Sequence, residues 1–187
     1  MSDKPYKYIP KAIDLDLYDK LMSEIELKRD KISVTYAIEP IYERRDTAWQ
    51  TDTDIAANYS NKIMNAVPFT PTVKMVKDLV EKIVGVQFDS ALIFHYKDNK
   101  DSMGFHHDDV GVSKGTDIAG VTFGATRRLA IRNNKTKEKE FFDVGNGDIF
   151  YMFGNCQETH KHAILLPDAD HPSSGPRLAI TFRKMLV

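Results

Sequence analysis

After Gly85 the hydrophobic period of this chain changes from about four residues to two. Seven short segments of strand character then follow to the C-terminus: Phe88–Lys97, Gly120–Phe123, Arg128–Arg132, Glu140–Val144, Asp148–Phe153, Lys161–Leu166 and Arg177–Arg183. Turn signals such as Asp98-Asn99-Lys100-Asp101, Asn133-Asn134-Lys135 and Gly145-Asn146-Gly147 separate them. Many short strands in a domain of this size have few ways to bury their apolar faces other than a sandwich or jelly roll. Two helices are expected before them. Asp14–Arg29 carries Leu17, Tyr18, Leu21, Met22 and Ile25 at helical spacing, and Thr70-Pro71 opens a second apolar stripe of Val73, Val76, Leu79, Val80 and Ile83 that Gly85 can end. The predicted class is mostly β with α, the helices buttressing one sheet.

The 187 residues suit a single domain, with helices and a substrate lid over 1–87 and the β core over 88–187. A charged fraction of 28% is ordinary for a soluble protein, and no apolar run approaches a membrane span. Met1–Pro10 lacks a signal-peptide core, and the one cysteine, Cys156, leaves no internal disulfide. A soluble, intracellular monomer, in cytoplasm or nucleus according to host, is expected. The net charge of -1 gives no global pull toward polyanions, but Arg127 to Lys139 holds six basic residues against Glu138. Such a patch can bind phosphates or be a solvated hairpin.

All six histidines fall between His95 and His171. In Gly104-Phe105-His106-His107-Asp108-Asp109, His106 and Asp108 are two apart, so an extended strand points both to one face. A third ligand is available from His160 or His162, which share strand parity. Two imidazoles and a carboxylate on one face of an octahedron leave positions open, the arrangement of non-haem iron(II) oxygenases. His-x-Asp alone is a weak signal, and His107 with Asp109 repeats it. Zinc hydrolysis would show a His-Glu-x-x-His helix, which is absent from the sequence.

The last segment adds more. In Arg177-Leu178-Ala179-Ile180-Thr181-Phe182-Arg183, the apolar residues Leu178, Ile180 and Phe182 face one side, and Arg177, Ala179, Thr181 and Arg183 the other. Two arginines on the concave side of a sheet are costly unless they meet anions. Their Cα atoms lie roughly 20 Å apart, at about 3.3 Å per residue. Two such side chains can bracket a small dicarboxylate, which the guanidinium fork pairs bidentately.

Together these segments resemble the AlkB family of 2-oxoglutarate-dependent nucleic-acid dealkylases. The matching stretches run in family order: Arg45-Asp46-Thr47-Ala48-Trp49, Tyr59-Ser60, Phe69-Thr70-Pro71, Leu92 to Asp98, Gly104 to Asp109, Thr122 to Arg127, Gly147-Asp148, His162, and Pro176-Arg177 through Phe182-Arg183-Lys184. The resemblance implies a double-stranded β-helix with Fe(II) held by His106, Asp108 and His162. It selects His162 because the apolar run Ala163 to Leu166 and Pro167 follows it, and His106 because Gly104-Phe105 precedes it. It places Arg177 on the distal carboxylate of 2-oxoglutarate, with Arg183 and Tyr96 completing that pocket. With O2, oxidative decarboxylation of the cosubstrate to succinate would drive hydroxylation of an N-alkyl group on a DNA or RNA base, which then leaves as aldehyde. The base would be flipped out of its stack, with Tyr59 against it and Trp49 and Arg45 on the lid. Asp109 would contact a base edge or order the pocket, and Arg127 with Arg128 would meet phosphates.

The sequence also departs from the family. Phe94 and Ala179 stand where many members carry asparagine, which makes the cosubstrate pocket less polar. Val110 and Ala57 differ from residues of several repair members and leave open another substrate, such as an unmodified base, a protein or a small molecule.

Overall fold

In a computed structural model that describes residues 4–32, 41–59, 62–108, 117–171, 173 and 175–185, the chain folds around its last strand. In chain order the elements are β1 (Tyr6–Ile9), α1 (Tyr18–Glu24), β2 (Lys31–Ile32), β3 (Ile41–Tyr42), β4 (Asp46–Thr51), β5 (Ala57–Tyr59) and β6 (Lys62–Met64). Then follow α2 (Pro71–Val84), β7 (Ser90–Tyr96), β8 (Met103–His106), β9 (Ile118–Gly124), β10 (Arg127–Asn133), β11 (Lys139–Val144), β12 (Ile149–Met152), α3 (Cys156–Thr159), β13 (His160–Ile164) and β14 (Arg177–Arg183).

β14 lies between β9 and β7 in a six-stranded antiparallel sheet of order β1-β12-β9-β14-β7-β4. A four-stranded antiparallel sheet, β11-β10-β13-β8, faces it. The alternation of β14 divides the two cores. Leu178, Ile180 and Phe182 join Leu21, Val73, Val76 and Val80 between the large sheet and the helices. Ala179 joins Phe94, Leu129, Ile131 and Phe150 between the two sheets. This is the expected jelly roll with helices on one face.

Three local features differ from the sequence expectation. The first helix is confined to Tyr18–Glu24, because Ile25 turns extended and Lys28 then exchanges both backbone hydrogen bonds with Thr47. Sheet pairing there replaces helical bonds. Second, Thr70 occupies the N-cap of α2 without a side-chain cap bond; Glu24 of α1 instead accepts from the Thr72 amide (2.8 Å) and hydroxyl (2.5 Å). Burial raises the Glu24 carboxyl, but these bonds and Lys20 outweigh it and hold it below the usual carboxylate range. Third, Ile83 ends the apolar stripe 39% exposed.

Gly85 closes α2 in the left-handed region, at φ 76°. Gly147, at φ 75°, lets the β11–β12 turn approach the N-terminal segment so closely that a Cβ would lie 1.9 Å from the Ile13 carbonyl oxygen. No helix among the described residues is long and apolar enough to cross a membrane.

Candidate metal and cosubstrate site

The two histidines meet across a strand pair. β8 and β13 run antiparallel with His106 directly opposite His162, and their ring centroids lie 4.2 Å apart. A register shift follows between His162 and Ile164, a bulge of the kind that re-aims side chains beside sites. Asp108 does not share their strand, since β8 ends at His106. Its position comes instead from Gln157 of α3, whose side-chain oxygen accepts the Asp108 amide at 2.9 Å. Asp108 Oδ1 then lies 3.7 Å from His106 Nε2, and Oδ2 lies 3.8 Å from His162 Nε2. One ligand atom from each residue lies within 4.8 Å of the others.

Electrostatics suit this group to a cation. His106 Nδ1 donates to the Gly104 carbonyl at 2.8 Å, which leaves Nε2 as the ring nitrogen that can ligate. Burial opposes charge on Asp108, yet Arg183, His162 and His106 outweigh it and hold its carboxyl below the usual range. Burial and the neighbouring His106 push the His162 imidazolium down to about 4. Two imidazoles with a carboxylate are a donor set for a divalent metal such as iron(II).

The His162 shift predicts a pH dependence for the metal-free protein. Its folded pKa lies below the unfolded value of 6.5, so between pH 6.5 and about 4 the unfolded chain binds more protons. This contribution to stability is therefore present above pH 6.5 and is lost as pH falls to about 4. Urea unfolding across this window will show a steeper decline for wild type than for His162→Asn.

The two arginines of β14 sit at different ends of the site. Arg183, fully buried, places Nη2 3.8 Å from Asp108 Oδ1. Arg177 lines the cavity that also holds His106, Asp108 and His162. Its Nη2 donates to Thr122 Oγ1 at 3.0 Å, and its guanidinium carbon lies 4.9 Å from the centre of the Tyr96 ring. Nε and Nη1 have no acceptor within hydrogen-bonding distance among the described residues, although Tyr96 partly offsets the burial of the charge. A buried cation with two unused donors is costly, and a carboxylate would satisfy it. Tyr96 is its register partner and also lines the cavity, while Thr122, with its polarity hidden among apolar neighbours on β9, was missed by the sequence reading. Phe94 and Ala179 are also register partners, so the two asparagine replacements lie side by side in the cavity wall.

Of the expected substrate residues, Tyr59 and Arg45 converge on Phe94 in the cavity wall, whereas Trp49 and Arg127 are buried in the interior. Tyr59, half-buried, packs its ring 5.7 Å from Phe94. Arg45 lies 5.9 Å from the ring centres of both Phe94 and Tyr96 and donates to the Ser102 carbonyl. Trp49 is 2% exposed and donates its indole N–H to the Ile55 carbonyl, within the packing between the sheets. Arg127 is 1% exposed and donates to the Asp98 carbonyl, so it lies inside the molecule rather than on the basic surface. Arg128 stays partly exposed and pairs with Asp143 at 3.1 Å. Ala57 is buried. Asp109 and Val110 lie outside the described residues. Of the alternative ligands, His160 packs 5.3 Å from Tyr6 and bonds Thr159, and His107 is exposed.

Comparison with known proteins agrees with this architecture. The profile of the 2OG-Fe(II) oxygenase superfamily matches residues 6–183. The uncharacterized protein R406 of Acanthamoeba polyphaga mimivirus is 63% identical over 185 residues, covering 99% of this chain and 96% of that protein. The DNA oxidative demethylase ALKBH2 of Bos taurus is 29% identical over 151 residues, 76% of this chain and 53% of the relative. The human alpha-ketoglutarate-dependent dioxygenase alkB homolog 3 is 28% identical over 150 residues, 74% and 51% respectively. The chain thus spans about half the length of these mammalian relatives. The solved structure of OsALKBH1 shares the fold, with a TM-score of 0.65 at 16% identity over 98% of this chain and 100% of that one. The chain belongs to the 2OG-Fe(II) oxygenase superfamily and is AlkB-like.

Proposed function

We propose that this protein is an oxidative dealkylase of nucleic-acid bases, removing N-alkyl groups of the 1-methyladenine or 3-methylcytosine type from DNA or RNA with release of aldehyde, succinate and CO2. The observation that carries the oxygenase part is the Arg177 guanidinium, buried with two unused donors in the cavity shared with His106, Asp108 and His162. The names of the ALKBH2 relatives support the nucleic-acid part.

In this reading His106, Asp108 and His162 hold Fe(II), and Arg177 with Tyr96 and Thr122 holds the distal carboxylate of 2-oxoglutarate. Iron and cosubstrate, when bound with O2, supply the oxidising equivalents for hydroxylating a C–H bond beside the base nitrogen. The chain's own residues bind, orient and exclude. Gln157 fixes Asp108, Gly104 fixes the His106 tautomer, and Arg183 balances the Asp108 charge. Phe94, Met103, Leu129, Phe150 and Ile164 give the cavity apolar walls that disfavour bulk water. Tyr59, whose ring packs against Phe94, would stack on an extruded base. The hydroxylated N-alkyl group then breaks down to aldehyde and the free base nitrogen.

A panel of methylated DNA and RNA oligomers tests this by formaldehyde and succinate release. Wild type is expected to release both in equal amounts, with His106→Ala at least about a hundredfold slower. Succinate without formaldehyde from every alkylated oligomer would reject base dealkylation while keeping the oxygenase.

A further inference from the structure

The strands that hold the histidines have a second face. Register across β11, β10 and β13 places Lys139, Arg132 and Lys161 in one transverse row on the outside of the small sheet. The next row holds Phe141, Ala130 and Ala163. Parity requires this side to be outward, because Leu129, Ile131 and Ile164 fill the core between the sheets. Phe141 is 50% exposed with Arg128 over its ring at 5.7 Å. Phe105, from β8, has the Arg132 guanidinium over its ring at 4.4 Å and Lys139 at 5.7 Å. Ala130 and Ala163 are fully covered, and the Phe105 ring reaches across the sheet to Arg132 and Lys139, so the exposed part of this face is Phe141 and the basic row. Among the described outward positions of β10, β11 and β13 the one acid is Asp143, and Arg128 pairs with it.

We propose that this outer face of the four-stranded sheet is a binding platform for single-stranded DNA, with Arg132, Lys139 and Lys161 on phosphates and Phe141 offering its half-exposed ring to an unpaired base. A row of cations beside a half-exposed aromatic ring suits a polyanion whose bases are free to stack, whereas a duplex hides those base faces. The platform lies back to back with the site: Phe105 precedes His106 and Lys161 precedes His162 on the same strands. A strand held there stays tethered beside the metal site while its neighbouring nucleotides are sampled. The inference rests on the reading of the protein as a nucleic-acid enzyme, and its test is separable from that reading.

Fluorescence anisotropy with a short unmodified oligothymidylate measures the platform without any turnover. Wild type is expected to bind, with affinity falling as salt rises. Lys139→Glu/Lys161→Glu should weaken binding at least tenfold at low salt and lower the salt slope by about 1.4, from about 0.7 per phosphate contact on a single strand. Phe141→Ala, with retained thermal melting as the check on folding, should weaken it by at least about fivefold at an unchanged slope. Wild-type affinity in both variants, no binding by wild type, or capture of oligouridylate but not oligothymidylate would each overturn the platform. Dealkylation of a methylated oligomer by wild type, followed in parallel, separates the two ideas. Turnover with unaffected variant binding rejects the platform alone, and weakened variant binding without turnover rejects the proposed reaction alone.

Discussion

Arg177→Leu should raise the KM for 2-oxoglutarate by on the order of a hundredfold or more while leaving the metal-free protein as stable as wild type, or more stable. The affinity loss follows from removing two charge-assisted hydrogen bonds, each worth about 1.5–3 kcal/mol. The stability effect follows from what Arg177 lacks. Its Nε and Nη1 have no acceptor within hydrogen-bonding distance among the described residues, and burial pushes its guanidinium pKa down, the mark of a cation held where charge is disfavoured. Replacing such a group with leucine removes a desolvation cost of on the order of 1–3 kcal/mol. An arginine serving only the architecture would behave in the opposite way, since its loss would lower the melting temperature and leave the KM alone. Thermal melting and a 2-oxoglutarate titration on the same preparation distinguish the two.

Asp108→Ala should act on fold and site together. The substitution removes a metal ligand and also the carboxylate 3.8 Å from the buried Arg183 guanidinium. Removing one charge of a buried ion pair costs about 3 kcal/mol. Urea unfolding of the metal-free variant should show this loss, whereas His106→Ala, whose ring bonds a backbone carbonyl at the more exposed side of the group, should cost clearly less. Equal stability of Asp108→Ala and wild type would mean that Arg183 does not depend on that carboxylate.

Legibility in the sequence follows burial on one face or two. β14 was readable to its ends because one side packs on helices and the other on a cavity, so its alternation survives in the residues. β4 was not, since all six of its residues are buried and no polar alternation marks it. The convergence of His106 and Asp108 was read from a spacing of two, but the strand ends at His106 and Gln157 does the placing. That glutamine sits on a four-residue helix too short to leave a periodic signal. Arg127 looked like the start of a basic surface run, although parity with the inward Leu129 and Ile131 already pointed it into the protein. Counting charge along the chain concealed what counting by twos reveals. The same parity, applied to Arg132, Lys139 and Lys161, brings the outer basic row into view.

The central claim is that three side chains from two strands and the segment after β8 make one iron site. Anaerobic titration with Fe(II), followed by calorimetry in the presence of 2-oxoglutarate, tests it most directly. The wild-type chain should take up one ion, and Asp108→Ala should lose that uptake. Stoichiometric iron binding by Asp108→Ala with wild-type affinity would contradict the account.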